Sequence, residues 1–122
     1  MFGYTILGFG SGGVAVAIAV NAQMGDRALV GPGTTDFDTI DYFSIGTTGN
    51  ATDFGDMTDR RENTAAVSDG SRACWAGGHG PGASGVTIEY STIGSTGDTT
   101  DFGDLTRNTQ TVGCSDGSRG IF

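Results

Sequence analysis

Residues 39–58 read TIDYFSIGTTGNATDFGDMT, and residues 87–106 read TIEYSTIGSTGDTTDFGDLT. The two stretches align without a gap at a shift of 48 residues. Further on, Ser68–Arg72 and Ser115–Arg119 both read SDGSR, at a shift of 47, so one residue is lost in between. Self-similarity at such a period marks a repeated supersecondary unit. The Asp-Phe-Gly-Asp phrase at 53–56 and 101–104 is therefore punctuation inside that unit. A kinase reading of Asp-Phe-Gly fails, because all six basic residues are arginine and the fold would need about twice this length.

Within the unit the local pattern predicts four short strands. The first is small and apolar, at Val14–Val20, Thr64–Val67 and Thr109–Cys114. A Ser-Asp-Gly-Ser turn follows, whose Asp and Gly suit a hairpin needing positive φ. The second strand is Arg27–Val30, Arg72–Ala76 and Arg119–Phe122, so a fainter copy of the unit lies upstream of the two clear ones. The third is Ile40–Ile45 and Val86–Ile93. In it Val86, Ile88 and Tyr90 share one face and Thr87, Glu89 and Ser91 the other, a period of two. Ala51–Met57 and Thr99–Leu105 carry a short fourth strand. No window has a helical period, and glycine interrupts nearly every candidate. The chain is expected to be all-β. It is a single repeat domain over 1–122: an N-terminal strand segment at 1–13, a degenerate first unit at 14–58, a second at 59–106 and a half unit at 107–122.

Composition agrees with many short strands and tight turns. Of 122 residues 23 are glycine and 2 are proline, and 36 % are hydrophobic, which allows one thin core. The net charge of −8 comes with no basic stripe, which argues against nucleic-acid binding. The first 25 residues carry no charge. VAVAIAV resembles the core of a signal peptide, but no Lys or Arg marks an n-region and four glycines break the apolar run. The same glycines argue against a membrane span. A pair of glycine-spaced strands fits the segment better. Cys74 and Cys114 are not in a CxxC pair, so zinc and thioredoxin-type readings fail, and both read as small buried hydrophobes.

A four-stranded unit of 47–48 residues falls in the range of β-propeller blades. The order small strand, Asp-Gly turn, Arg-Ala-Cys-Trp-Ala-Gly-Gly, glycine loop, Val-Thr-Ile-Glu-Tyr resembles a kelch repeat, with Gly77-Gly78 and Tyr90 at the family's double-glycine and Tyr positions. The family's later Trp is missing, and Phe54 and Phe102 stand nearest its place. The chain is more similar still to kelch-like repeats in structural and tail-fibre proteins of marine and freshwater phages, including cyanophages. The resemblance covers roughly three quarters of the chain, and motif likeness of this kind implies fold far more than task.

One weak unit, one good unit and half of another do not make a propeller, which needs four or more blades. Open sheet edges invite other chains. The expectation is that neighbouring copies complete the sheets, as a closed ring or a fibre, with Ile6, Leu7, Phe9, Ile121 and Phe122 as subunit contacts. By resemblance the chain is a structural subunit of an extracellular assembly or virion, such as a phage tail fibre or spike. It holds shape and presents the loops Gly31–Phe37 and Gly77–Gly85 to a host glycan or receptor. Two alternatives are a secreted microbial filament with strand exchange and a small glycan-binding module.

No enzyme or cofactor is expected. Asp53, Asp56, Asp101 and Asp104, with Asn50 or Asp98, are the candidates for calcium. Their spacing departs from the EF-hand loop, and the favoured reading is that they fix turns through backbone N–H groups. His79, the single histidine, lies in a glycine loop with no partner for zinc or general-base work. Trp75 is a candidate for stacking on a sugar, though its repeat counterparts Val30 and Phe122 suit a core. Asn50-Ala51-Thr52 is a glycosylation sequon. Arg27, Arg72 and Arg119 recur at one repeat position and are expected to pair with Asp as an ion-pair ladder.

Overall fold

The computed structural model describes residues 26–33, 37–81, 85–110 and 112–122. Over those residues the chain is all-β, without a helix, and every strand pairing is antiparallel. β1 (Arg27–Val30), β2 (Thr39–Ser44) and β3 (Thr52–Asp56) form one sheet in that order. β4 (Ala65–Ser68), β5 (Arg72–Ala76), β6 (Thr87–Thr92) and β7 (Thr100–Asp104) form a four-stranded meander. β8 (Cys114–Ser115) and β9 (Gly120–Ile121) make a two-stranded ribbon. The three sheets lie within residues 14–58, 59–106 and 107–122. The strands expected in residues 1–25, with Ile6, Leu7 and Phe9, fall outside the described residues. Among the described residues the sheets do not close into a ring.

The turns follow from the Ser-Asp-Gly-Ser-Arg phrase. Gly70 (φ 88°) and Gly117 (φ 90°) take the positive φ that L-residues avoid. Asp69 Oδ1 accepts from the N–H groups of Ser71 and Arg72 at 2.8 and 2.7 Å, and Asp116 Oδ1 from those of Ser118 and Arg119 at 2.9 and 2.8 Å. The backbone N–H of Arg72, then that of Ser71, holds the Asp69 carboxyl below its ordinary value, and Arg119 and Ser118 do the same for Asp116. A depressed folded-state value means stability present above the unfolded value and lost as pH falls through the folded one. The urea midpoint is therefore expected to fall below about pH 4. The Asp69→Asn, Asp116→Asn double variant should flatten that fall; an unchanged profile would place its cause elsewhere.

The same register recurs in both larger sheets. Leu29 faces Tyr42 as Cys74 faces Tyr90, and Ile40 faces Gly55 as Ile88 faces Gly103. One residue on, Asp41 faces Asp53 and Glu89 faces Asp101, so Phe54 and Phe102 are the extra residues of two equivalent β-bulges. This is the structural meaning of the repeated Asp-Phe-Gly: Phe is the bulged residue, and the glycine after it has φ of 149° (Gly55) or 141° (Gly103).

The core lies between the first two sheets. Ile40, Phe54 and Met57 from the first side meet Ala73, Trp75 and Ile93 from the second, with Leu29 and Tyr42 packed at the margin. Each large apolar side chain buried there contributes roughly 1.5–3 kcal/mol. The period of two in β6 is as expected, yet its polar face is the more buried one. Glu89 and Ser91 are inaccessible, whereas Ile88 and Tyr90 are half-buried. The first sheet packs on the Glu89 face, so both faces of the second sheet are drawn into contacts.

Candidate functional site

The described residues gather their chemistry where the two larger sheets meet. Each sheet first builds an internal stack of three side chains from three strands. The Arg27 guanidinium lies 4.7 Å from the Tyr42 ring centre, and Tyr42 meets Phe54 edge-on at 5.9 Å. Arg72 lies 4.9 Å from Tyr90, which meets Phe102 edge-on at 6.2 Å. Two of the three recurring arginines, Arg27 and Arg72, therefore sit over tyrosine rings and not in a ladder of pairs with Asp, because the adjacent strand brings an aromatic face beside each guanidinium. Among the described residues the ion pairs are Arg60–Asp38, exposed at 3.7 Å, and Arg61–Glu89, buried. Arg27 also reaches across, its Nη1 donating to the Ile93 carbonyl at 3.0 Å.

The outer edge of β3 is then bound by the loop after β6. Gly97 N–H donates to the Phe54 carbonyl (2.7 Å), Thr99 N–H to the Asp56 carbonyl (2.9 Å), and Asp56 N–H to Asp98 Oδ1 (3.1 Å). The approach is close: a methyl group on Gly55 would fall on the Gly97 carbonyl group and 2.8 Å from Asp98 N. Around Gly103, by contrast, a methyl group would meet nothing within 4 Å. Both glycines hold a φ that only glycine adopts without strain, worth about 1–3 kcal/mol on substitution. Gly55→Ala is expected to destabilise by about 1 kcal/mol more than Gly103→Ala, the excess being overpacking at the junction. Equal losses in urea unfolding would mean that the β3 edge is not held as described.

At the centre of the junction stands Glu89, fully buried in β6. Thr58 donates to it twice, from N–H at 3.0 Å and from Oγ1 at 2.9 Å. Thr99 Oγ1 and Arg61 Nη2 complete the shell. Arg61 is itself inaccessible, and its Nη1 donates to the carbonyls of Gly77 (3.3 Å) and Thr87 (3.2 Å). Its Nε is buried without a partner. Burial pulls the guanidinium down from its ordinary value, but arginine stays charged. A paired, hydrogen-bonded buried charge of this kind sets register more than it adds net stability. This node is absent from the sequence-based expectations. Two signals pointed to it: Glu89 as the one charged residue of the strand TIEYST, and the Arg60-Arg61 pair just after the unit's fourth strand. The counterpart of Glu89 in the first sheet, Asp41, is exposed.

The expected site residues are dispersed. Trp75 is 3 % exposed; its ring packs between the sheets beside Gly31, and its Nε1 donates to Ser91 Oγ at 3.3 Å, so no face is open to a sugar. His79 is exposed and pairs through its backbone with Glu62. Gly77 and Gly78, expected in a contact loop, are buried; Gly78 N–H donates to the Thr109 carbonyl at 2.9 Å. Asp53, Asp56, Asp101 and Asp104 are exposed, and Asp101 Oδ1 accepts from Gly103 N–H. Among the described residues no three His, Cys, Asp or Glu side chains gather as a metal site. Cys74 and Cys114 are free thiols; Cys74 is half-buried and its thiol is pushed up by burial, while Cys114 is exposed, contrary to expectation. Ile121 is exposed and Phe122 half-buried. Phe122 lines, with Phe102, Ile88, Cys74 and Arg72, a cleft of about 280 Å³ between the β8–β9 ribbon and the second sheet.

What this arrangement can do is clamp one sheet to the next in a single register. No protein-family model and no curated protein sequence matches the chain.

Proposed function

We propose that the chain is a structural subunit of an extracellular assembly, a phage tail fibre or spike, built from kelch-like units. The observation that carries this reading is the repetition of one sheet with one register, one bulge and one aromatic stack, locked to its neighbour by a buried charged node. Stacked units of this type hold shape through nearest-neighbour contacts, which suits a mechanical part. The resemblance of the 39–58 and 87–106 phrases to phage structural repeats supplies the setting, a virion surface. Neighbouring copies complete the assembly, and exposed apolar side chains such as Phe43, Ile45 and Phe102 supply contact area.

A secreted filament is the second reading, favoured by the open edge of β7. Electron microscopy of the purified protein tests both. Rings or short spikes of defined size support the virion part, and rods of variable length support the filament. Particles of single-chain mass at every concentration would overturn both.

A further inference from the structure

At the junction of the first two sheets, a plug (Gly97-Asp98-Thr99) fills a socket, the outer edge of β3 with the Phe54 face beside it. The chain holds a second socket of the same sequence. β7 repeats Thr-Asp-Phe-Gly-Asp, with the same bulge, the same stack on Tyr90 and the same positive φ at the glycine. Its β7 edge is unpaired among the described residues, and the β8–β9 ribbon reaches only part of the Phe102 face. Phe102 is 56 % exposed where Phe54 is 2 %, and the space beside Gly103 is open.

A second plug exists too. Gly49-Asn50-Ala51, between β2 and β3, is the repeat counterpart of Gly97-Asp98-Thr99. Its three residues are exposed. Asn50 has a side-chain carbonyl where Asp98 has the carboxylate oxygen that accepts from Asp56 N–H. The first sheet presents its socket to the second sheet, so its own plug lies on the side away from it. Among the described residues the exposed plug does not meet the β7 edge.

We infer that the β7 edge binds the Gly49–Ala51 plug of a second copy, head to tail. This deepens the subunit reading above and rests on it. In the geometry of the first junction, Gly49 N–H donates to the Phe102 carbonyl, Ala51 N–H to the Asp104 carbonyl, and Asp104 N–H to Asn50 Oδ1. The incoming first sheet covers Phe102 with Phe43 and Ile45, which are exposed in the single chain. An edge strand is thereby satisfied by a heterologous contact, which propagates as a ring or a filament. β9 has the same repeat position as β1, so the incoming sheet displaces the β8–β9 ribbon. That ribbon is held by a small contact: residues 112–121 are all exposed, Ser115 Oγ donates to the Ser68 carbonyl, and Gly113 and Gly120 lie against Val67.

Sedimentation of the whole chain from about 1 μM to about 1 mM covers the range of weak association. The wild type is expected to form head-to-tail oligomers. Ala51→Arg blocks the plug and Phe102→Asp the socket; each should weaken association at least ten-fold. Mixing the two variants should restore dimers and nothing larger, because each retains one good surface. Asp104→Pro, which removes the outward N–H at an edge position, is a second socket variant should Phe102→Asp unfold the chain, as urea unfolding would reveal. Oligomers that persist in both the plug and the socket variants overturn this interface and leave the subunit reading standing. A monomer throughout the range overturns both.

Discussion

Replacing Glu89 by Ala is expected to destabilise the chain by about 3–5 kcal/mol, the loss typical of removing one partner from a buried ion pair. The substitution strips Arg61 of its counter-charge while leaving the guanidinium inaccessible, with its Nε already without a partner. It also takes their acceptor from the Thr58 N–H and the Thr58 hydroxyl, while the Thr99 hydroxyl keeps only the Asp56 carbonyl. A single domain has about 5–15 kcal/mol in all, so the variant should be marginal at room temperature. Urea unfolding at pH 7 measures it. Asp41→Ala, the same repeat position on an exposed surface, is the control and should stay within about 0.5 kcal/mol of wild type. The double variant Arg61→Met, Glu89→Leu removes both charges and should recover much of the loss, since apolar replacements of buried pairs are often neutral or better. A wild-type midpoint for Glu89→Ala would mean that the pair does not hold the sheets together.

Trp75→Ala is the second large effect, again about 3–5 kcal/mol. The ring is 3 % exposed and packs against the Gly31 backbone and Met57 side, within the cluster that includes Ile40, Phe54 and Ile93. Truncation leaves a cavity between two sheets that hydrogen bonds hold in register, so little collapse can relieve it. The hydroxyl of Ser91 also loses its indole donor. Val30, the repeat counterpart of Trp75, is 52 % exposed, and Val30→Ala should be close to neutral. Trp75 and Glu89 are register partners on adjacent strands, so their two losses should not add. Because Trp75 is the single tryptophan, its fluorescence in the other variants reports directly whether the junction is closed. A small loss for Trp75→Ala would show that the sheets are joined mainly by the Glu89 node and the β3 edge.

Much of the fold was legible because it is local. The Ser-Asp-Gly-Ser-Arg turns place a side-chain acceptor and a positive-φ glycine within five residues, and both hairpins form as expected. The strand order β4-β5-β6-β7 follows from short links and a period of two. Most boundaries stayed or moved by one residue, but the strand expected at Thr109–Cys114 shrinks to Cys114–Ser115, one half of a narrow, exposed ribbon. The function of the glycine in each Asp-Phe-Gly phrase was not legible, since a bulge is defined by the partner strand's register and not by the phrase itself. The Arg–Tyr stacks escaped notice for a similar reason: charge counting pairs Arg with Asp, while the ladder sets Arg27 beside Tyr42 and Arg72 beside Tyr90.

The amino-acid order by itself determined where strands begin, where they turn and that the unit repeats, because propensity, turn chemistry and period act over a few residues. Tertiary structure alone decided which of two identical phrases is buried. Thr-Asp-Phe-Gly-Asp occurs twice, yet Phe54 is 2 % exposed and Phe102 56 %. Asp41 and Glu89 share a repeat position, yet one faces water and the other carries a buried charge. Burial belongs to a pair of surfaces, and a residue's environment is set by groups distant in sequence, as Arg61 and Thr58 (28 and 31 residues from Glu89) and the β3 edge (Asp56, 42 residues from Asp98) do for the second sheet.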